Sequence, residues 1–371
     1  MKWLSLAVCL FLLNNRPPAI TNESVPAGPP TLNVLAYYSG NSSGIDGYAV
    51  DKLSHIIFSF CHLKGNRLSV DNAKDSATIR KLVSLKKKHP RLKIMLSLGG
   101  WGGCEFCSPV FSTESGRKEF AASVQQLNNY FKTDGIDLDW EYPAIEGYPG
   151  HAYKNGDRNN FTELVKELRK VLGTKNEVSF AAGGFTKFIT ESIDWLAVMP
   201  LVDRVNLMSY DLVGGYSKIT GHHTPLYSNP RQVESADHAI SMFDSMGISR
   251  SKIVIGAAFY ARTWENVADT NRGLYQPGVF KNFIAYREFE NKIGRAQGFT
   301  IYRDSVSRAA WAYNKKGLVF ATFDDTLSIR EKVHYAIVKG LNGIMFWELS
   351  LDKRRNGLLD VIDRNLRKHQ H

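Results

Sequence analysis

Cysteine is scarce, with four among 371 residues, and no apolar run approaches the roughly 20 residues a bilayer-spanning helix needs, so a disulfide-built scaffold and an integral membrane protein are both excluded. No internal repeat divides the chain. Lys and Arg outnumber Asp and Glu by 47 to 36, for a net charge of +11, yet no basic-region, RRM or zinc-finger pattern accompanies that excess. The densest basic runs, Lys86-Lys87-Lys88 and the stretch from Lys353 to Lys368, read as solvated helical faces. No nucleic acid partner is therefore expected. Nor does any second Cys or His pair have zinc-ligand spacing, and neither a metal nor an organic cofactor is implied. What is present is an ordinary globular composition, 43% apolar, 22% charged and 12% aromatic, with ample material for a core.

Met1-Lys2 precedes the apolar run Trp3–Leu13, and polar, Pro-rich residues follow to Pro30. A positive charge before a short apolar core is the layout of a secretory signal, so residues 1–20 are expected to direct export and the protein to be extracellular. A short buried helix is the alternative. Cys104 and Cys107 lie in Trp101-Gly-Gly-Cys-Glu-Phe-Cys-Ser108, where an exported protein is expected to form a local disulfide. The competing redox motif normally opens a helix after a strand, whereas this pair follows Gly-Gly in a loop. Cys61 sits in an apolar run and reads as buried.

From residue 32 onward, β-branched apolar runs alternate with amphipathic helical stretches, the mark of a parallel sheet made of βα units. The runs are Leu32–Ser39, His55–His62, Lys93–Gly99, Gly135–Tyr142, Glu177–Gly183, Arg204–Asp211, Lys252–Tyr260 and Gly343–Leu349, with helical patterns such as Ser115–Lys132, Arg158–Leu172, Pro230–Met246 and Leu327–Lys339 between them. Eight strands with eight intervening helices predict an α/β fold, a closed (β/α)8 TIM barrel. Residues 263–322 break the rhythm with aromatic, strand-like sequence and are expected to form a small α+β subdomain inserted after the seventh strand, as one wall of a cleft. The barrel itself would occupy residues 32–262 and 323–369.

The fourth run reads Asp134-Gly-Ile-Asp137-Leu-Asp139-Trp-Glu141-Tyr-Pro143. Strand side chains alternate, so Asp137, Asp139 and Glu141 share one face while Ile136, Leu138 and Trp140 share the other. If the apolar face packs on helices, the acids look into the barrel, with Glu141 last, at the end where barrels do chemistry. Carboxyls so close cannot all ionise cheaply. A proton is shared among them, and one that persists near neutrality suits a general acid. A surface stripe or a calcium site is the competing account, but calcium loops use flexible turns, and an outward stripe would leave Trp140 without a reason.

This segment resembles the chitinases of glycoside hydrolase family 18, whose DxxDxDxE signature is filled at every position by Asp134, Asp137, Asp139 and Glu141. The family's SxGG pattern is matched by Ser97-Leu-Gly99-Gly100 ahead of Trp101, its MxYD by Met208-Ser-Tyr210-Asp211, and its tryptophan near the end of the eighth strand by Trp347. The resemblance implies a retaining, substrate-assisted glycosidase in which the sugar's own acetamide attacks the anomeric carbon. Glu141 would be acid and then base. Asp139 would hold the acetamido N–H and exchange its hydrogen bond between Asp137 and Glu141, Tyr210 would steady the acetamido carbonyl, and Met208 and Asp211 would line the pocket. By the same resemblance Trp347 would lie under the sugar, with Gly100, Trp101, Tyr37, Phe60, Tyr260 and Arg262 around it. For Tyr37, Phe60 and Tyr260, plain core packing is an equal alternative. Trp311 is a candidate for lengthening the cleft.

The expected partner is chitin or chitooligosaccharide, bound by a monomer. A chitin-binding lectin on the same barrel and an endo-β-N-acetylglucosaminidase acting on glycoproteins are the alternatives. The first typically lacks the acid that Glu141 supplies here. Sequons stand at Asn22, Asn41 and Asn160.

Overall fold

The computed structural model describes residues 32–369. The expected signal, residues 1–20, and the Asn22 sequon lie outside them. Eight parallel strands, Asn33–Tyr38, His55–Lys64, Lys93–Gly99, Gly135–Asp139, Glu177–Gly183, Arg204–Met208, Ile253–Ala258 and Gly343–Trp347, follow one another around a ring. The first strand closes it by pairing with the eighth from Asn33↔Gly343 to Ala36↔Phe346 and with the second from Leu35↔His55 to Tyr38↔Phe58. The fold is a (β/α)8 barrel.

Alternation decides which residues meet helices and which fill the ring. Ile136, Leu138 and Trp140 face outward, with the Trp140 ring 5.5 Å from Phe111 and 6.3 Å from Phe161. The helix Asp157–Leu172 answers with Phe161, Leu164, Val165, Leu168 and Leu172 buried along one stripe. Leu35, Tyr37, Ile57, Met95, Val254 and Met345 pack inside the ring.

The eight-helix expectation fails in two places. After the first strand there are only short 3-10 turns, Gly44–Gly47 and Val50–Lys52, because Gly40, Gly44, Gly47 and intervening serines offer no helical stripe. After the fifth strand a π-helical turn, Phe188–Ser192, and the short helix Trp195–Val198 stand in for a regular helix. There the Thr190 hydroxyl bonds back to the Thr186 carbonyl at 3.0 Å, and Asp194 caps a fresh start. The helix expected over Pro230–Met246 spans Ala236–Ser245, begun by the Ser235 cap. Lys86–Lys88 form a turn beyond the helix Ala73–Leu85.

Between the seventh and eighth barrel strands lies a five-stranded antiparallel sheet, in the order Val279–Ala285, Tyr260–Glu265, Val319–Phe323, Ala309–Asn314, Thr300–Asp304. It begins at Tyr260, two residues after the seventh barrel strand ends. Each face has its own core: Ile284, Phe299 and Phe323 on one side, Trp264, Trp311 and Phe320 on the other. Trp311 thus belongs to the inside of this sheet, 7% exposed with its Nε1 donating to the Arg272 carbonyl, and does not lengthen a cleft.

The lower end of the ring is plugged by charge. Glu177, which opens the fifth strand, meets His55 Nε2 at 3.0 Å, Arg204 Nη1 at 2.5 Å and Lys93 Nζ. Each of these residues is first or nearly first in its strand. Burial alone would raise the Glu177 pKa, but hydrogen bonds from His55 and Arg204 and the guanidinium charge hold it far below the usual carboxylate range.

Candidate active site

Moving up the ring from Glu177, the next inward layer centres on Asp137. Its Oδ2 accepts from Tyr37 Oη at 3.0 Å and Ser97 Oγ at 3.1 Å, and its Oδ1 from Ser179 Oγ at 2.6 Å and Asn206 Nδ2 at 3.0 Å. Burial raises this carboxyl while the hydroxyl and amide donors oppose the rise. The net effect of burial is upward, and the four neighbouring donors favour the ionised form of Asp137 against it.

Asp139 lies above it, also buried, with an Oδ1 that has no hydrogen-bond partner. Burial, then the charges of Glu141 and Asp137, push its pKa well up, which makes it the holder of the shared proton. Glu141 is partly exposed and stands beyond the end of the strand, which stops at Asp139 rather than running to Tyr142 as its pattern suggests. Burial pushes its carboxyl up to about 7, the Tyr142 hydroxyl pulls it down, and the charge of Asp211 adds to the rise. The first signature residue, Asp134, is elsewhere. It ties the lower end by accepting from Ile94 N at 2.8 Å and from Lys86 Nζ at 2.6 Å.

Around these acids the structure gathers most of the aromatic candidates. Trp347 stacks on Phe60, with ring centroids 5.5 Å apart, and tilts against Tyr37 at 5.7 Å. Its neighbour Phe346 faces outward, stacked on Phe259, so alternation puts the indole inside the barrel mouth. Gly100 has φ +81°, and a Cβ there would strike the Phe60 ring at 2.3 Å, which explains the glycine. Non-prolyl cis peptides occur at Ser59-Phe60, within the second strand, and at Glu141-Tyr142 and Trp347-Glu348, where the fourth and eighth strands have ended. Tyr210 is buried, with its hydroxyl 3.8 Å from Met345 Sδ. Burial, then Tyr260 and Asp139, raise its pKa well above 10, so it remains a proton donor. Met208 packs on the same interior group.

Asp211 forms a two-point ion pair with Arg262, Oδ1 to Nε at 2.8 Å and Oδ2 to Nη2 at 2.6 Å. Burial opposes its ionisation, but Arg262 and His223 hold its pKa far below the usual range. The Arg262 guanidinium also lies 5.2 Å from the Tyr260 ring. Trp101 stands apart, 44% exposed at the rim, among Tyr142, Tyr148 and Tyr216. Beneath it Cys104 and Cys107 are joined in a disulfide, and Cys61 is buried and free. Gly102, Gly103 and Cys104 lie in a loop as expected, whereas Cys107 opens the helix Cys107–Phe111.

Ser97, Ser179 and Asn206 carry the central carboxylate and were not among the residues singled out for roles. Their signal is a polar residue on the same face as a charged strand opening in an otherwise apolar run, two places on for Glu177 to Ser179 and Arg204 to Asn206 and four places on for Lys93 to Ser97. His223 was missed as well.

The chain is similar to known proteins in sequence and in fold. The model of glycosyl hydrolases family 18 fits residues 33–352. Chitinase A1 of Niallia circulans is 30% identical over 305 residues, covering 76% of this chain and 43% of that protein, and the oviduct-specific glycoprotein of Mus musculus is 30% identical over 322 residues, covering 81% and 43%. The chain thus spans less than half the length of these curated relatives. Among solved structures, a glycoside hydrolase family 18 N-acetylglucosaminidase of Paenibacillus barengoltzii superposes with a TM-score of 0.82 at 33% identity, over 90% of this chain and 99% of the other.

Proposed function

Because the chain belongs to glycosyl hydrolases family 18, we propose that it is a secreted chitinase, hydrolysing β-1,4 N-acetylglucosamine linkages in chitin and chitooligosaccharides with retention of configuration. The observation that carries this reading is the row of acids Asp137, Asp139 and Glu141 along the fourth strand and its exit, with buried Asp137 bound by Tyr37, Ser97, Ser179 and Asn206 and burial pushing up the carboxyls of Asp139 and Glu141.

Glu141 gives its proton to the glycosidic oxygen, and the bond from that oxygen to the anomeric carbon breaks. The acetamido oxygen of the same sugar closes on that carbon, forming an oxazolinium ion and taking the place of an enzyme nucleophile. Asp139 accepts the acetamido N–H, which orients the acetamide for ring closure, and the fixed negative charge of Asp137 below it offsets the developing cation. Tyr210, kept protonated, donates to the acetamido carbonyl oxygen. Glu141, now ionised, takes a proton from water as that water opens the ring. Trp347, backed by Phe60 and Tyr37, offers an aromatic floor for the sugar's C–H face. Trp101 and its tyrosine neighbours extend that surface at the rim. The run Trp3–Leu13 and the Cys104–Cys107 bridge support export.

The test is the time course of products from chitooligosaccharides with the anomeric form recorded by NMR, beside a deacetylated polymer. Initial release of the β-anomer from acetylated substrate alone is expected. Inverted product, or equal cleavage of the deacetylated polymer, would overturn the reading.

A further inference from the structure

His223 lies in the segment that follows the sixth barrel strand and is fully buried. Its backbone N–H donates to Thr322 Oγ1 at 3.2 Å, its carbonyl accepts from Leu212 N at 3.0 Å, and its ring packs 5.3 Å from that of Tyr260. The position is therefore held from three sides. Yet neither ring nitrogen has a full hydrogen bond, and Asp211 Oδ1 lies 3.4 Å from Nδ1. A buried imidazole with idle nitrogens is less stable than an apolar ring of the same size. Packing alone does not account for it.

We propose that His223 is a positioning residue for the reaction, whose Nδ1–H points at Asp211 from behind, holds that carboxylate in its pair with Arg262 and moderates the negative field that reaches Glu141. The proposal rests on the chitinase reading of the site for its catalytic meaning, but not for its electrostatics. The groups facing the imidazole are Asp211 from its own segment, Tyr260 and Arg262 from the first strand of the five-stranded sheet, and Asp324 at that sheet's exit. Asp324 is itself bound by Lys332 Nζ at 2.7 Å and by Thr224 Oγ1 at 3.1 Å. Burial lowers the His223 pKa, although Asp211 and Asp324 oppose the change, so the ring acts as a neutral donor. Asp211 in turn raises Glu141. Removing the donor leaves Asp211 less compensated and Glu141 harder to ionise.

The test compares wild type with His223→Phe, which keeps a ring on Tyr260, and His223→Asn, which keeps a short N–H donor. The Glu141 side-chain carbon, assigned by its loss in Glu141→Gln, is titrated by 13C NMR, and kcat/KM for a chitooligosaccharide is measured across pH. In His223→Phe the Glu141 midpoint and the basic limb of the rate profile should both move up by about half a pH unit, and His223→Asn should restore them toward wild type. An unchanged or lowered midpoint in folded His223→Phe overturns the proposal. Should that variant not fold, 15N spectra of the wild-type imidazole decide, since a ring protonated only at Nε2 would overturn it too. A wild type with no chitinase activity would sink the functional reading while leaving the NMR midpoint to judge His223.

Discussion

At the lower end of the barrel Glu177 meets His55, Lys93 and Arg204, whereas at the upper end Asp137, Asp139 and Glu141 meet neutral donors and one another. Both sets are carboxyls inside the same ring. The lower one is driven far down in pKa by cations, and the upper ones are driven up by burial and mutual repulsion. A carboxylate locked to the Arg204 and Lys93 cations and hydrogen-bonded to the His55 ring can neither give nor take a proton at neutral pH, so it contributes to stability. Carboxyls denied a cation contribute little to stability and keep a proton available for transfer. The ladder of strand positions separates these two uses within a few residues of each other.

The sharpest way to break this contrast is at its top. Glu141→Gln should cost about 10²–10⁴-fold in turnover, the range for a lost acid–base group, with an undiminished melting temperature, measured by hydrolysis of a chromogenic chitooligosaccharide beside calorimetry. A large stability loss would show that the upper acids serve the fold as well. Glu177→Gln should do the reverse, leaving Arg204 buried without its anion at a cost of about 3–5 kcal/mol in denaturant unfolding while turnover per folded molecule holds.

Acidity sharpens the comparison further. Glu177 is depressed in the folded state, so its contribution is complete above the unfolded value near 4.3 and is lost as pH falls below it. Glu141 is raised from 4.5 to about 7, so its protonated form favours folding at low pH and that advantage disappears as pH rises through 7. Unfolding free energy against pH should therefore fall on the acid side in wild type but less so in Glu177→Gln. The decline from pH 4.5 to 7, of the order of 1–3 kcal/mol, should be reduced in Glu141→Gln. Identical curves for both variants would remove the distinction. The smallest effect is expected at Trp347→Ala, a loss of about 1–2 kcal/mol in oligosaccharide affinity from the missing aromatic surface, read by titration calorimetry with the Glu141→Gln background preventing turnover.

The acidic strand was readable because its information is local: a period of two sorts Asp137 and Asp139 from Leu138 and Trp140 without any knowledge of the neighbours. The same locality made the barrel legible, strand by strand. Glu177, His55, Lys93 and Arg204 were not legible as a group, since each comes from a different strand and only ring closure brings them together. Yet each marks the opening of an apolar run, and four charged openings of buried strands are a pattern that a ring must resolve by pairing them. His223 left no such trace, because Arg262 and Thr322 arrive from two strands of the inserted sheet and Asp211 from the other end of its own irregular segment. Trp311 was misplaced for the opposite reason: an aromatic residue in a strand-like insert has two faces to choose from, and this sheet buries both.

The five-stranded sheet starts at Tyr260, and its first strand delivers Tyr260 and Arg262 to the barrel mouth before continuing into pairs with Val279–Ala285 and Val319–Phe323. An engineer who treated this module as a detachable cassette, cutting at the start of its aromatic stretch, would leave both residues stranded on a frayed stub. A transplant that preserves the acid's surroundings has to take the seam along with the cassette, with the junction placed inside the seventh barrel strand.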